Sequence, residues 1–276
     1  MENILRGFKE NKAFRITTSL VLLLILIAIA APVIAPYNPL EAVMRNANME
    51  PSLQHLCGTD KLGRDVLSRI LYGASYSLGS VLLLVAIIFV IGTTLGVLAG
   101  YFGGIVDTVI MRIADMMISF PGIILAIAIA GVMGGSLVNA MIAMTIVTWT
   151  KYARLARSMV LKIKRRDFVE AAVVNGGTPP HILWTHIVPN ILPLMVITAA
   201  ADIGAMLMEL AGLSFLGFGS QPPAPEWGLM LSEGRQQIQT APWLMIFPGL
   251  AIFVTVVVFN LWGDSLRDVL DPRQDN

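Results

Sequence analysis

The chain has 276 residues, 56% of them hydrophobic and 13% charged, with a net charge of +1, which is about half the charge of a typical soluble domain. Apolar runs occupy most of its length, so a large soluble domain is excluded and a polytopic membrane protein is indicated. The near-neutral balance carries no basic cluster interleaved with aromatics and so gives no nucleic-acid partner. A single cysteine, Cys57, leaves no internal disulfide and no Cys-based metal cluster.

The basic residues Arg6, Lys9, Lys12 and Arg15 precede an apolar run to about Ala35. Ala28-Ile29-Ala30 imitates a signal cleavage site. The run nevertheless approaches the roughly 20 residues that span a bilayer, and its basic start predicts a retained helix beginning in the cytoplasm.

From Pro36 to about Ser75 the chain is polar and turn-rich, and Gly58 to Arg69 read as a short amphipathic helix at the outer interface. Gly58 and Gly63 have the spacing of a phosphate loop. Arg64 and Asp65, however, stand where a lysine and a hydroxyl residue would hold phosphate and magnesium. No nucleotide site is expected on this chain.

Further apolar segments fall at about 76–100, 108–133, 137–160, 190–213 and 244–263, giving six spans with the first. Gly92, Gly96 and Gly100 lie four apart on one helix face, an arrangement that lets helix backbones approach. Pro121 and Pro248 predict kinks in the third and sixth spans. With the N-terminus inside, four crossings return Lys151–Pro189 to the cytoplasm, and that stretch carries Lys151, Arg154, Arg157, Lys162, Lys164, Arg165 and Arg166. The positive-inside bias agrees, and six crossings bring the C-terminus, with Arg267 and Arg273, to the same side.

The polar interruption at 162–193 has its own local logic. Asp167 and Glu170, three apart, read as a capping box that starts a helix. Gly176-Gly177 end it, and Thr178 with Pro179 starts another. A helix of about eight residues is not stable alone in water, so this one is expected to dock against something, with Ala171 and Ala172 keeping its face flat. Glu170-Ala171-Ala172, three residues, Gly176, nine residues and then a tetrapeptide ending in Pro189 resembles the EAA loop of ABC importer membrane subunits. His186 and Val188 depart from the general isoleucine and leucine of that loop. In that family the loop is the coupling helix seated in a cleft of the cytoplasmic ATPase.

The segments GTDKLGRDVLSR and SFLGFGSQPPAPEWG, and the C-terminal Gly263-Asp264-Ser265-Leu266-Arg267 to Pro272-Arg273, are similar to the dipeptide, oligopeptide and nickel permease family. The run DIGAMLMELAGLSFLGFG looks closer to the nickel branch than to the dipeptide branch. The resemblance covers about Gly58 to Arg273. It implies an all-α membrane protein of six transmembrane helices, the type I ABC importer permease fold, with a cytoplasmic coupling helix between helices 4 and 5. Residues 1–75 would form the first helix and outer segment, and 76–276 a permease core holding the coupling loop 162–189.

The same resemblance implies an importer permease for nickel, a metal chelate or di- and oligopeptides, in a bacterial or archaeal plasma membrane with both termini cytoplasmic. Its partners would be a second homologous permease, two ATPases that carry ATP and Mg2+, and a solute-binding protein outside. ATPase coupling would fall on Asp167, Glu170, Ala171, Ala172, Gly176 and Pro189. An ion-gradient-driven transporter or channel is the alternative, and it predicts an inverted repeat that the sequence does not show.

On the fifth helix Asp202 and Glu209, seven apart, share a face with Thr198 and Met206. Ionisable groups in a span are functional candidates. Either the four line a pathway that attracts a cationic or amine-bearing solute, or each acid is neutralised by a neighbouring helix, for instance through Arg112. His55, His181 and His186 do not share one site, so no metal centre is expected, and no catalytic spacing supports an enzyme.

Overall fold

The structure, a computed structural model, describes residue 8 and residues 11–270. Arg6, Lys9, Pro272 and Arg273 lie outside the described residues. The first helix, α1 (Lys12–Ile34), is capped by Asn11, whose side chain accepts from the Phe14 N–H at 3.0 Å. The second, α2 (Val66–Phe102), runs for 37 residues behind Asp65, which accepts from the Ser68 N–H at 2.8 Å.

The segment before α2 corrects the sequence reading. Gly58–Arg64 is not a short interfacial helix but a folded turn, closed by a bridge between Thr59 and Asp65. The Asp60 carboxylate accepts from the N–H groups of Leu62 and Arg64 at 2.9 and 3.0 Å. Local bonds of this kind compete with helix formation, so the helix waits for the cap at Asp65.

The expected third span is also corrected. It is two helices, α3 (Gly104–Ile118) and α4 (Gly122–Met133), bent by 91°. Pro121 breaks it because it donates no N–H and holds Phe120 away from helical geometry. Pro121 then serves as the cap of α4.

Helix α5 (Leu137–Ile163) starts at Ser136, whose hydroxyl accepts from the Asn139 N–H. It carries Lys151, Arg154 and Arg157 inside the helix rather than in a connecting loop, because no breaker interrupts it before Lys164. After it come α6 (Asp167–Val174), α7 (Pro179–Ile182), a π turn at Leu183–Ile187 and α8 (Val188–Phe215). From Pro179 to Phe215 the chain is one near-continuous span, so Thr178 opens a long helix and not a second short one. The last helices are α9 (Trp227–Gly234), which the sequence did not announce, and α10 (Trp243–Leu270), which holds Pro248 within it.

Among the described residues the only extended pairing is that one bridge. Among the described residues four helices are long and apolar enough to cross a membrane, five if the bent pair counts as one span. The fourth expected span, α5, has 27 residues, roughly 40 Å of helix, yet is not apolar enough to stand among them.

Helix α2 sits at the centre. A Cβ on Gly92 would lie 2.6 Å from the Trp149 carbonyl oxygen of α5, and one on Gly100 would lie 2.8 Å from the Val160 Cβ. The glycine face is therefore what α5 packs on, as its spacing predicts. The two ends of α2 define the two ends of the molecule. At its start, Ile70 accepts a hydrogen bond from the Trp227 indole at 3.0 Å. At its finish, Lys164 donates to the Tyr101 carbonyl. The Gly58–Arg64 turn and the loop after α5 thus lie at opposite ends of a helix roughly 55 Å long.

Candidate functional site

The loop between α5 and α8 is held by a few buried side chains. Val169 of α6, Ile182 of α7 and Ile187 of the π turn are each exposed to 1% or less and join the core cluster of α2, α5 and α8, with Ala172 packed against it. Gly176 takes φ +80. Its N–H donates to the Val173 carbonyl and that of Gly177 to the Ala172 carbonyl, both at 3.0 Å, which is the Schellman closure that a left-handed glycine permits.

The start of α6 departs from expectation. Arg166 is the cap residue, no side chain bonds there, and Asp167 and Glu170 both lie inside the first turn, so no capping box forms. Their charges still favour a helix N-terminus. Thr178 occupies a cap position without a side-chain bond, and Pro189 falls in the first turn of α8, where its missing N–H is harmless.

What this loop presents outward is apolar. Phe168, Val173 and Val174 of α6 are exposed, Val174 to 86%, and Trp184 of the π turn is exposed to 73%. Asp167, Glu170 and Ala171 lie among them at the surface. The eight-residue helix is thus anchored on one face and exposes Phe168, Val173 and Val174 beside two acids on the other.

The stripe on α8 is resolved residue by residue. Asp202 is buried and ion-paired, with Lys151 Nζ of α5 at 2.6 and 2.9 Å from its two oxygens. The Tyr152 hydroxyl donates to it at 3.0 Å. Lys151, and not Arg112, is therefore its partner. The sequence held the signal, a lysine within an apolar run, which by itself marks a functional or paired group.

Thr198 bonds back to the Leu194 carbonyl, and Met206 is half-buried between the two main core clusters. Glu209 is half-buried, one turn beyond Met206. Only Glu209 of the four presents an acid without an ion pair among the described residues.

Two further pairs bind α5 to α3, Arg154 with Asp115 and Arg157 with Asp107. At the opposite end of the molecule a cluster that sequence reasoning missed joins the Gly58–Arg64 turn to α9. Arg64 bonds Asp60 at 2.6 Å and Glu233 at 3.1 Å, and Arg69 bonds Glu233 at 2.7 Å. Arg64 and Arg69 are buried, with exposures of 2% and 1%. Beside it Glu226 caps α9, accepting from the Gly228 and Leu229 N–H groups at 2.9 and 2.8 Å. Burial pushes its carboxyl above the ordinary range, against these bonds.

His55 bonds Asp65 at 2.9 Å, whereas the rings of His181 and His186 lie 6.0 Å apart in the loop between α5 and α8. No three His, Cys, Asp or Glu among the described residues are arranged to hold a metal ion.

The profile of the binding-protein-dependent transport system inner membrane component matches residues 92–276, and that of the N-terminal transmembrane domain of oligopeptide transport permease C matches residues 1–51. The chain belongs to this permease family. It is 44% identical over 268 residues to a dipeptide transport system permease of Alkalihalophilus pseudofirmus, covering 97% of this chain and 88% of that protein. A glutathione transport system permease of Pectobacterium atrosepticum is 45% identical, covering 92% and 84%. A nickel transport system permease of Escherichia coli is 40% identical, covering 94% of each.

Identities between 40% and 45% place this permease in the peptide and nickel ABC importer family without separating the cargo branches. The fold is that of a methionine ABC transporter solved in inward-facing conformations, with a TM-score of 0.58, 21% identity and coverage of 74% of this chain and 97% of that one. This permease is an integral inner-membrane protein whose relatives are transporter subunits and not enzymes, and its family works with a partner ATPase and a binding protein.

Proposed function

We propose that this permease forms, with a second homologous permease, the uptake pathway for a small peptide or metal chelate. ATPase subunits carrying ATP and Mg2+ drive it through α6, and a solute-binding protein delivers cargo at the opposite end, near the outer turn and α9. The observation that carries the reading is α6 itself: anchored through Val169 and Ala172, it leaves Phe168, Val173 and Val174 exposed just after Lys162, Lys164, Arg165 and Arg166. Asp167, Glu170, Ala171, Gly176 and Pro189 shape that element.

The basic residues at the end of α5 and just beyond it, Lys162 to Arg166, support a cytoplasmic position for it and for both termini. The core at 76–276 would carry the pathway, with 1–75 as an accessory helix and outer segment. An ion-gradient mechanism gains nothing from the family. Within the pathway, Glu209 is the acid with charge to spare for a cationic or amine-bearing cargo, since Lys151 neutralises Asp202.

Val174→Asp tests the docking role. It adds a charge to an exposed apolar site without touching the buried face. The expected result is loss of ATPase co-purification and of uptake, with membrane insertion unchanged. Full co-purification of the ATPase with a well-expressed Val174→Asp variant would remove α6 from the interface.

A further inference from the structure

Lys151 is more exposed than its depth in the bundle allows for a lipid-facing side chain. It lies about 21 Å from the start of α5 and about 18 Å from its end. Its partner Asp202 lies about 21 Å into α8, which belongs to one of the apolar spans. The pair thus sits halfway along both helices, yet the Lys151 side chain is 60% exposed. An ionised group at that depth faces protein or water, because hydrocarbon does not solvate it.

The face of α8 beside the pair is open and built of small residues. Thr198, Ala201, Ala205 and Gly212 fall within about 100° of Asp202 around the helix. Ala205 is exposed, the other three are half-buried, and a Cβ on Gly212 would meet nothing within 4 Å. Asp202 takes two of the three ammonium N–H groups of Lys151, at 2.6 and 2.9 Å. The Tyr152 hydroxyl also donates to Asp202, so the carboxylate does not depend on the lysine alone. Glu209 stands about 10 Å further along the same face, within Coulombic range of both members of the pair.

We propose that Lys151 is a specificity-determining residue, whose ammonium binds a carboxylate of the solute while Glu209 holds its amine or metal end. This deepens the pathway reading proposed above and rests on it.

A cationic pole and an acidic pole, set about two helical turns apart along α8, suit a solute that carries both charges. An extended peptide advances about 3.3–3.6 Å per residue, so two or three residues span them. The carboxylate is the shared chemistry of a peptide C-terminus and of a carboxylate chelator. A bare hydrated cation would use Glu209 alone.

The test uses the assembled transporter with Cys57→Ser and Ala205→Cys, labelled by an anionic sulfonatoethyl and a cationic trimethylammonioethyl methanethiosulfonate. Both should react, because a thiol facing hydrocarbon stays protonated and inert. Lys151→Gln should cut the ratio of anionic to cationic rate about tenfold. Lys151→Arg should restore it, and Glu209→Gln should raise it. With Lys151 in place, dialanine or a histidine chelate of nickel should slow labelling, the effective one naming the source of the carboxylate, and dialaninamide should not. This arm stands even where Lys151→Gln does not assemble. A thiol closed to both reagents would overturn the pathway reading together with this one. An unchanged ratio in Lys151→Gln, equal protection by dialaninamide, or protection by neither acid would overturn the role of Lys151 and leave the pathway standing.

Discussion

Lys151 of α5 and Asp202 of α8 form an asymmetric pair: the carboxylate side chain is 12% exposed and the lysine 60%. Removing either charge therefore has unequal effects. Lys151→Met strands a buried carboxylate with only the Tyr152 hydroxyl for support, while Asp202→Asn leaves a lysine that can still reach water. The melting temperature of the purified complex should fall further for Lys151→Met than for Asp202→Asn. The double variant should show a coupling of about 0.5–3 kcal/mol, and strictly additive effects would mean that the pair contributes nothing.

The contact between α2 and α5 makes a second prediction. Gly92→Leu places side-chain atoms where the Trp149 carbonyl and Tyr152 Cβ already stand, both 2.6 Å from the first added carbon. Backbone must move, at a cost of about 1–3 kcal/mol or more. Gly79→Ala meets nothing within 4 Å and is the control, expected to be neutral or slightly stabilising. Comparing expression and melting of the two variants checks whether close backbone approach holds these helices together.

Gly176 separates loop geometry from loop presence. Its φ of +80 and its N–H bond to Val173 are both lost in Gly176→Pro. Gly176→Ala keeps the bond and adds strain of about 1–2 kcal/mol. Uptake should be nearly abolished by the proline variant and reduced by the alanine variant, with equal amounts of protein in the membrane. Equal uptake by both would show that the closure of α6 is irrelevant to transport.

Labelling can fix which end of the molecule faces out. Cys57 is half-buried, and burial, with the nearby Asp65 charge second, raises its thiol above the ordinary value. Since the thiolate is the reacting form, native Cys57 should label slowly at neutral pH and faster as pH rises. In a Cys57→Ser background, Leu53→Cys, at a position 98% exposed, should react with an impermeant reagent added outside intact cells. Thr178→Cys should react only after permeabilisation. The reverse pattern would invert the orientation.

Much of this permease was legible before its fold. Glycines at 92, 96 and 100 announced a close helix contact because a missing side chain reads the same in one dimension as in three. Gly176 announced a left-handed turn for the same reason, and the EAA-like spacing pointed to the family. The errors lay where local signals compete. Pro121 announced an interruption whose size was hidden, since a kink and a 91° break begin with the same missing N–H. Asp167 and Glu170 had the spacing of a capping box, but Arg166 takes the cap position and shifts both acids into the first turn.

Composition, apolar run length and short-range spacing thus determined the membrane class, most spans and the helix–glycine corner at Asp167–Gly177, because each depends on residues within a turn or two of one another. Pairings between distant residues were decided only by tertiary structure. Nothing near Asp202 in the chain names Lys151, 51 positions away, and nothing near Arg69 names Glu233, 164 positions away. An ion pair needs only complementary charge and a few ångströms, so many partners satisfy the sequence equally. The packing of α5 on α8, and of α9 against the start of α2, selects one.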